Sequence, residues 1–220
     1  MNLVDALSRF NRKERYLLIR NALGPSSARL GEAFRDKLEA AINIEVPCDA
    51  WWAMDYHLDW LVGALSLVSN EADAHQVRPN TDGMVTGTQE DMDLVVAFGD
   101  VLVLVEAKGE TSWVNEQFKR KVNRLEGLRR AELLPGPKDL RVFFVVMSPR
   151  APSDRLSPEL GNEWESWMCN AEGRPVHVPL EMPGEFWKVT RWDDRLARPA
   201  AVDTHWKIVP ARGATKLDER

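Results

Sequence analysis

Two short apolar runs separated by a tight turn dominate the middle of the chain. Residues 94–98 form the first run, and residues 101–105, which are rich in β-branched side chains, form the second. Gly99-Asp100 lies between them, and a glycine at the first central position favours a two-residue hairpin turn of type II′. The pattern therefore predicts a β-hairpin in which the two runs pair antiparallel.

The predicted register brings charged side chains together at the open end of this hairpin. Asp93 falls opposite Glu106, and side chains that face each other across two strands lie on the same face of a sheet. Strand alternation adds Lys108 to that face and turns Ala107 away. Two facing carboxylates repel each other, and a cation such as Mg²⁺, which prefers carboxylate oxygens, would remove the repulsion. The simpler interpretation is that these charges only mark where the sheet meets water.

The run Asp93, hairpin, Glu106-Ala107-Lys108 resembles the D…(D/E)-x-K signature of the PD-(D/E)XK nuclease superfamily, which has the restriction-endonuclease-like fold. Met92 rather than proline precedes Asp93, so part of the literal pattern is missing. The resemblance implies that Asp93, Glu106 and the carbonyl group of Ala107 hold Mg²⁺ or Mn²⁺, and that Lys108 takes part in catalysis. It also implies a nucleic-acid substrate, DNA in the first place and RNA as the alternative.

The segments around the hairpin predict an α/β fold. Apolar stripes indicate one helix over residues 49–68 and another over about 112–131, and residues 141–147 read as a buried strand. Residues 76–78 and 84–88 are candidates for short strands, one of which would open the core sheet. We expect a restriction-endonuclease-like core, with a mixed central sheet and helices on both faces.

The rest of the chain divides around that core. We expect a single domain of three parts: an N-terminal helical extension over 1–48, the nuclease-like core over 49–150, and an irregular Trp- and Pro-rich C-terminal elaboration over 151–220. In the first part, the pattern predicts one helix over residues 3–23 and a second helix capped by Ser26 or Ser27. In the last part, residues 186–191 are a candidate strand.

A third acid for the metal site is sought in the helix before the hairpin, because the superfamily often supplies one from there. Asp55 lies at the edge of the apolar stripe of the predicted helix over 49–68, whereas Asp59 is turned about 40° further away. Glu32 points away from the apolar face of the helix before that. Asp55 is therefore the first candidate, followed by Asp59 and Glu32. An ordinary solvated acid is the alternative for each, and it is favoured for the last two.

Substrate contacts are sought in the helix after the hairpin. Gln117, Lys121 and Arg124 lie along one edge of its inward stripe, and helical spacing makes them neighbours. They are the candidates to line one wall of a cleft and contact the substrate. The alternative, that they form a solubilising surface, is slightly favoured.

Charge is distributed unevenly along the chain. The net charge of −5 is not typical of a protein that coats nucleic acid. Residues 49–100, however, contain ten acids and one Lys or Arg, whereas residues 108–150 contain ten Lys or Arg and five acids. This order suits an acidic segment that holds a metal, followed by a basic one that meets phosphates. Solvated surfaces of opposite charge would give the same counts.

Other features concern compartment and assembly. No apolar run approaches the length of a bilayer span, and the first residues carry charges where a signal peptide needs an apolar core. Cys48 and Cys169 are far apart and form no CxxC pattern, which favours free thiols. We expect a cytoplasmic protein without membrane contact. A homodimer is a further expectation, from analogy with the superfamily alone.

The sequence thus favours a Mg²⁺-dependent nuclease that hydrolyses phosphodiester bonds in DNA. The competing hypothesis is a binding or scaffold protein that has kept the fold without the activity. The acidic composition and the lack of a recognisable DNA-reading module favour this second hypothesis, whereas the presence of all three signature residues favours the first.

Overall fold

The computed structural model describes residues 1–211, apart from residues 12, 24–28, 70–75, 82, 88, 89, 110–112, 114, 115, 132, 134–139, 153, 154, 158–161, 183–185, 197, 200 and 202–204. The helices are α1 (Leu3–Phe10), α2 (Glu14–Leu23), α3 (Glu32–Ile42), α4 (Leu58–Ser69) and α5 (Glu116–Arg130), with a 3₁₀ turn at Ser166–Met168. The strands are β1 (Trp51–His57), β2 (Asp91–Phe98), β3 (Val101–Ala107), β4 (Arg141–Ser148), β5 (Arg155–Ser157), β6 (Asn162–Glu163), β7 (Val176–Pro179), β8 (Phe186–Asp193), β9 (Arg198–Pro199) and β10 (His205–Ala211).

The predicted hairpin is confirmed. β2 and β3 pair antiparallel from Leu94 opposite Val105 to Phe98 opposite Val101. The turn begins with Gly99 at φ +52°, a value that glycine adopts without steric cost. The register that sequence patterning predicts is therefore the observed one.

The hairpin lies at the centre of a five-stranded mixed sheet with the order β1-β2-β3-β4-β7. β1 and β3 are antiparallel to β2, whereas β4 is parallel to β3 and β7 is parallel to β4. The parallel step from β3 to β4 passes through α5, as a crossover requires. The mixed α/β architecture is thus confirmed.

Apolar side chains on both faces of β3 explain why helices cover both sides of the sheet. Leu102 and Leu104 belong to the core that the sheet forms with α1, α4 and α5. Val101, Val103 and Val105 alternate with them and pack in a second core with α3. A strand buried on both faces reads as a continuous apolar run, which is the pattern of residues 101–105.

The predicted helix over residues 49–68 is wrong in its first half. Trp51–His57 is strand β1, the edge of the central sheet, and α4 starts only at Leu58. Backbone pairing with β2 from Trp51 opposite Ala97 to His57 opposite Asp91 outweighs the apparent helical stripe. Aromatic residues are common in strands, and three of the seven residues of β1 are Trp or Tyr.

The N-terminal helices also differ from expectation. The single helix predicted over residues 3–23 is two helices, because Asn11 adopts an extended conformation (φ −71°, ψ 102°) and ends α1. The next helix, α3, starts at Glu32 after Gly31, and the predicted caps Ser26 and Ser27 lie outside the described residues.

The polar segment before the hairpin contributes no strand in its described residues. Residues 76–78 and 84–87 are described and are not strands, while Thr88 lies outside the described residues. Their predicted place as the first strand of the sheet is taken by β1. The predicted start of the following helix at Ser112 also lies outside the described residues, and α5 begins at Glu116.

The C-terminal part contains more strand than the sequence predicts. β7 extends the central sheet, and the candidate strand over 186–191 is part of β8. β8, β9 and β10 form a separate three-stranded antiparallel sheet with the order β10-β8-β9. In the part of the chain that the structure describes, no helix combines the length and the apolar character that crossing a membrane would require.

Candidate functional site

The open end of the β2–β3 hairpin brings together Asp93, Glu106, Ala107 and Lys108 of the predicted site. The last pair of the ladder is Leu94 opposite Val105, so Asp93 and Glu106 come next on their strands. The Oδ2 atom of Asp93 accepts a hydrogen bond of 2.7 Å from the backbone N–H of Ala107. This bond fixes the Asp93 carboxylate against the end of β3.

Glu106 is the most buried member of this group, and it binds two lysines. It is 1% exposed, and its Oε1 atom accepts a hydrogen bond of 2.9 Å from Nζ of Lys108. Its Oε2 atom accepts a hydrogen bond from Nζ of Lys121, a buried residue of α5. We call Asp93, Glu106, Lys108 and Lys121 the hairpin cluster. Its two carboxylates and two ammonium groups balance in formal charge.

The pKa of the Glu106 carboxyl is raised above its ordinary value. Burial is the main cause, and the negative charge of Asp93 adds to it, while the charges and hydrogen bonds of Lys121 and Lys108 only partly oppose the increase. A carboxyl whose pKa is raised on folding stabilises the fold at low pH, and that contribution is lost as pH rises through the folded-state pKa. At neutral pH the ionised Glu106 therefore lacks part of the stabilisation it would have in water, and a nearby cation would restore it.

The lysine from α5 is expected to lower the pKa of Glu106. Lys121→Met keeps the length of the side chain and removes its charge, so the pKa of Glu106 should rise further. The loss of unfolding free energy with increasing pH should then extend to higher pH than in the wild type. Urea unfolding at a series of pH values measures this, and Lys119→Met, in the same helix, is the charge-matched control. Parallel stability–pH curves for all three proteins would contradict the prediction.

The other two residues predicted to contact substrate lie in different surroundings. Gln117 is exposed in the first turn of α5. Arg124 is held inside the molecule by the carboxylates of Asp59 and Glu90 and by the carbonyl oxygen of Met84. Of the three residues predicted to contact substrate, Lys121 and Arg124 thus bind carboxylates of the protein itself, and only Gln117 is fully exposed.

Asp59 anchors the segment that precedes β2. Its carboxylate accepts hydrogen bonds from the backbone N–H groups of Thr86, at 3.2 Å, and Gly87, at 2.8 Å, and it pairs with Arg124. Burial alone would raise the pKa of Asp59, but these three partners together hold its pKa below the ordinary value. The contribution of Asp59 to stability is therefore present above the unfolded-state pKa and is lost as pH falls through the folded-state pKa.

Arg124→Ala is expected to lower the free energy of unfolding by about 3 kcal/mol, because it leaves two partly buried carboxylates without their shared cation. Arg120→Ala is the control, since Arg120 is 63% exposed and lies 3.5 Å from Glu90. Its effect should stay within about 0.5 kcal/mol. Chemical denaturation measures both. Equal effects of the two substitutions would show that the Arg124 network does not stabilise the fold.

The candidates for a third acid are not gathered at the cluster. Asp55 lies in strand β1, not in a helix, and falls opposite Asp93 in the β1–β2 register. Its φ is +50°, and its carboxylate pairs with Arg15 of α2 at 2.9 Å. Asp59 is held by the contacts given above. Glu32 is exposed at the start of α3, the helix that packs on the opposite face of the sheet from α5. Among the described residues, no three Asp, Glu, His or Cys side chains are grouped so that they could hold a metal ion.

Strands β1 and β2 are irregular where these acids lie. Ala53 and Val95 belong to the core under α1, α4 and α5, yet Tyr56 and Met92 belong to the same core. Regular alternation along each strand would place Tyr56 and Met92 on the face opposite to Ala53 and Val95. The alternation of side chains therefore shifts between residues 53 and 56 of β1 and between residues 92 and 95 of β2. The positive φ of Asp55 occurs within that shift. This irregularity of β1 explains why the Asp55 carboxylate contacts Arg15 of α2 rather than the hairpin cluster.

Sequence reasoning missed a second polar cluster beside the first. Asp91, two residues before Asp93 in β2, pairs with Nζ of Lys13 at 2.8 Å and with Nδ1 of His57 at 3.2 Å. The repeated acids at positions 91 and 93 were the available signal. The contact with Lys13 could not be inferred, because it joins residues that are 78 positions apart.

Comparisons of this chain with protein-family models, with curated proteins and with solved structures find no match.

Proposed function

We propose that the protein is a nuclease that uses Mg²⁺ or Mn²⁺ to hydrolyse phosphodiester bonds in DNA. The observation that carries this proposal is the hairpin cluster itself. Two carboxylates on adjacent strands lie beside an ammonium group that is 2.9 Å from one of them, at the end of a central sheet. Acid, acid and lysine in this relation are the groups that metal-assisted hydrolysis needs.

The residues present suit a hard divalent cation. Asp93, Glu106 and the carbonyl oxygen of Ala107 would hold it, and all three supply oxygen ligands. Mg²⁺ is commonly held by one or two carboxylates with water filling its other positions, so a third protein acid is not required. The raised pKa of Glu106 supports the same conclusion, because a bound cation would stabilise the ionised carboxylate.

When bound there, the cation would polarise a phosphate group and make an attacking water more acidic. The two lysines differ in what they can do. The side chain of Lys108 is 15% exposed and that of Lys121 is 4% exposed, so only Lys108 has direct access to solvent. Lys108 would turn from Glu106 to the substrate and, as an ammonium group, orient the attacking water and donate hydrogen bonds to the developing charge. It would take a proton from that water only after losing its own proton to solvent. Lys121 would remain on Glu106 and hold its carboxylate in place.

The order of elements supports a restriction-endonuclease-like core. A helix, α3, is followed by the antiparallel strands β1, β2 and β3, the crossover helix α5 and the parallel strand β4. This is the helix–strand–strand–strand–helix–strand order that the superfamily resemblance implies. Helix α4, between β1 and β2, is an addition to that order.

A second candidate function is a binding or scaffold protein that does not cleave DNA. It is favoured by one observation, that both carboxylate oxygens of Glu106 already bind lysines. Such a cluster is balanced in charge without a metal ion. It would then serve as a structural link between β3 and α5.

Cleavage of a supercoiled plasmid separates the two functions. The nuclease proposal predicts nicked or linear plasmid with Mg²⁺ or Mn²⁺, intact plasmid with EDTA, and no cleavage by Glu106→Gln under either condition. Asp100→Asn, at the turn end of the hairpin, should cleave as the wild type does. Intact plasmid with both metals, from a protein shown to be folded by circular dichroism, would favour the binding function.

A further inference from the structure

The three-stranded sheet β10-β8-β9 presents a row of large apolar side chains to solvent. Trp187 and Trp206 are each 66% exposed, Val189 is 68% exposed and Ile208 is 54% exposed. Soluble proteins rarely leave a continuous apolar surface of this kind without a use for it.

These side chains share one face of the sheet. Ile208 lies opposite Val189, and Trp206 lies opposite Arg191, four residues along β8 from Trp187. At about 3.3 Å per residue and about 4.8 Å between strands, the two indole rings start from backbone positions about 14 Å apart. An apolar cross-strand pair lies between them and an arginine lies beside one of them. We call this surface the tryptophan face.

The segment that forms this sheet carries a small positive excess. Residues 186–211 contain five Lys or Arg and three Asp, whereas the whole chain has a net charge of −5. On the tryptophan face itself a cation, Arg191, lies opposite Trp206. Indole rings with cations nearby are the combination that binds single-stranded nucleic acid, because bases stack on the rings and phosphates meet the cations.

The size of the surface argues against a second copy of this chain as the occupant. Strands β8 and β10, paired over seven residues, span about 23 Å by about 10 Å, and the two-residue strand β9 widens the sheet at one end only. That is roughly 250 Å², well below the roughly 800 Å² per partner of a stable protein interface. A short length of unpaired nucleic acid needs no more than this.

We propose that the tryptophan face binds single-stranded DNA, with bases stacked on Trp187 and Trp206 and a phosphate held by Arg191. The choice of DNA rests on the proposed function, whereas the binding itself requires no cleavage. Such a surface would hold an unpaired strand of the substrate apart from the hairpin cluster.

Fluorescence anisotropy of a labelled dT15 oligonucleotide in EDTA tests the proposal without any contribution from cleavage. Trp187→Ala/Trp206→Ala should weaken binding roughly 30-fold or more, from the loss of two stacked bases. Trp187→Phe/Trp206→Phe, which keeps aromatic rings at both positions, should retain most of the affinity. Trp192→Ala, on the opposite face of the same strand, is the control for general damage to the sheet.

Salt dependence gives a second test. Arg191→Ala should reduce the slope of log affinity against log salt concentration by about 0.7, the amount expected for one phosphate contact on a single strand. Wild-type affinity in the double alanine variant would overturn the proposal. Two other results would also overturn the proposal. One is a change from dimer to monomer in that variant with unaltered dT15 binding, and the other is binding of the wild-type protein to anionic phospholipid vesicles in place of dT15. A protein that fails to cleave plasmid yet binds dT15 as described would contradict the nuclease proposal alone.

Discussion

Asp93→Asn is expected to abolish divalent-cation binding and to leave the fold intact. The asparagine still offers an oxygen to the backbone N–H of Ala107, which Asp93 now binds at 2.7 Å. It removes one of two negative charges from a cluster that also contains two lysines. The remaining positive excess would repel Mg²⁺ or Mn²⁺. Isothermal titration calorimetry with Mn²⁺ measures the effect, and Asp100→Asn, an identical change at the turn end of the same hairpin, is the control.

The same substitution should abolish stabilisation by metal. In the wild type, Mn²⁺ at about 100 times its Kd should add about 2.7 kcal/mol to the free energy of unfolding. For a chain of this size that corresponds to an increase in Tm of about 5–10 °C. Asp93→Asn should show no increase, whereas Asp100→Asn should match the wild type. Wild-type Mn²⁺ binding in Asp93→Asn would show that Asp93 is not a ligand.

Lys108→Ala is expected to lower the rate of cleavage by about two to four orders of magnitude and to leave metal affinity nearly unchanged. This is the range for the loss of a positioned proton-transfer group. An ammonium group is not a metal ligand, and Glu106 would keep its second partner, Lys121. Single-turnover cleavage and calorimetry on the same preparation measure the two quantities.

Lys119→Ala is the matched control for Lys108→Ala, because it removes the same charge from α5 outside the cluster. Its cleavage rate should stay within about threefold of the wild type. If Lys108→Ala lost metal binding and cleavage to the same extent, Lys108 would be holding the site together and not acting in the reaction.

The hairpin and its charged end could be predicted from the sequence because all the information is local. A glycine at the turn fixes the register, and the register then determines which side chains meet. Asp93, Glu106 and Lys108 lie within sixteen consecutive residues, so one correct turn assignment placed them all. The buried strand β4 and the crossover through α5 follow from similarly clear patterns.

The first strand could not be predicted, because its residues satisfy two patterns at once. Trp51, Met54 and Leu58 have helical spacing, and Asp49 resembles a helix cap. Only the pairing of β1 with β2, about 40 residues later in the chain, selects the strand. The ranking of Asp55 as the first candidate for a third acid rests on that helix, and in β1 its carboxylate pairs with Arg15.

The ion-pair partners of the basic residues on α5 could not be predicted from the sequence either. Lys121 and Arg124 follow one edge of the helix, which suggested a surface that meets substrate. Their actual partners, Glu106 for the first and Asp59 and Glu90 for the second, come from other elements. Which charges neutralise one another depends on how helices pack on the sheet, and residue spacing within one helix does not contain that information.

A crystal structure of the protein soaked in Mn²⁺ tests the shared metal site most directly. The expected result is an anomalous difference peak about 2 Å from carboxylate oxygens of both Asp93 and Glu106. Lys108 should have moved away from Oε1 of Glu106, while Lys121 should remain on Oε2. A map with no peak at this position, and with both lysines still bound to Glu106, would contradict the assignment of this cluster as a metal centre.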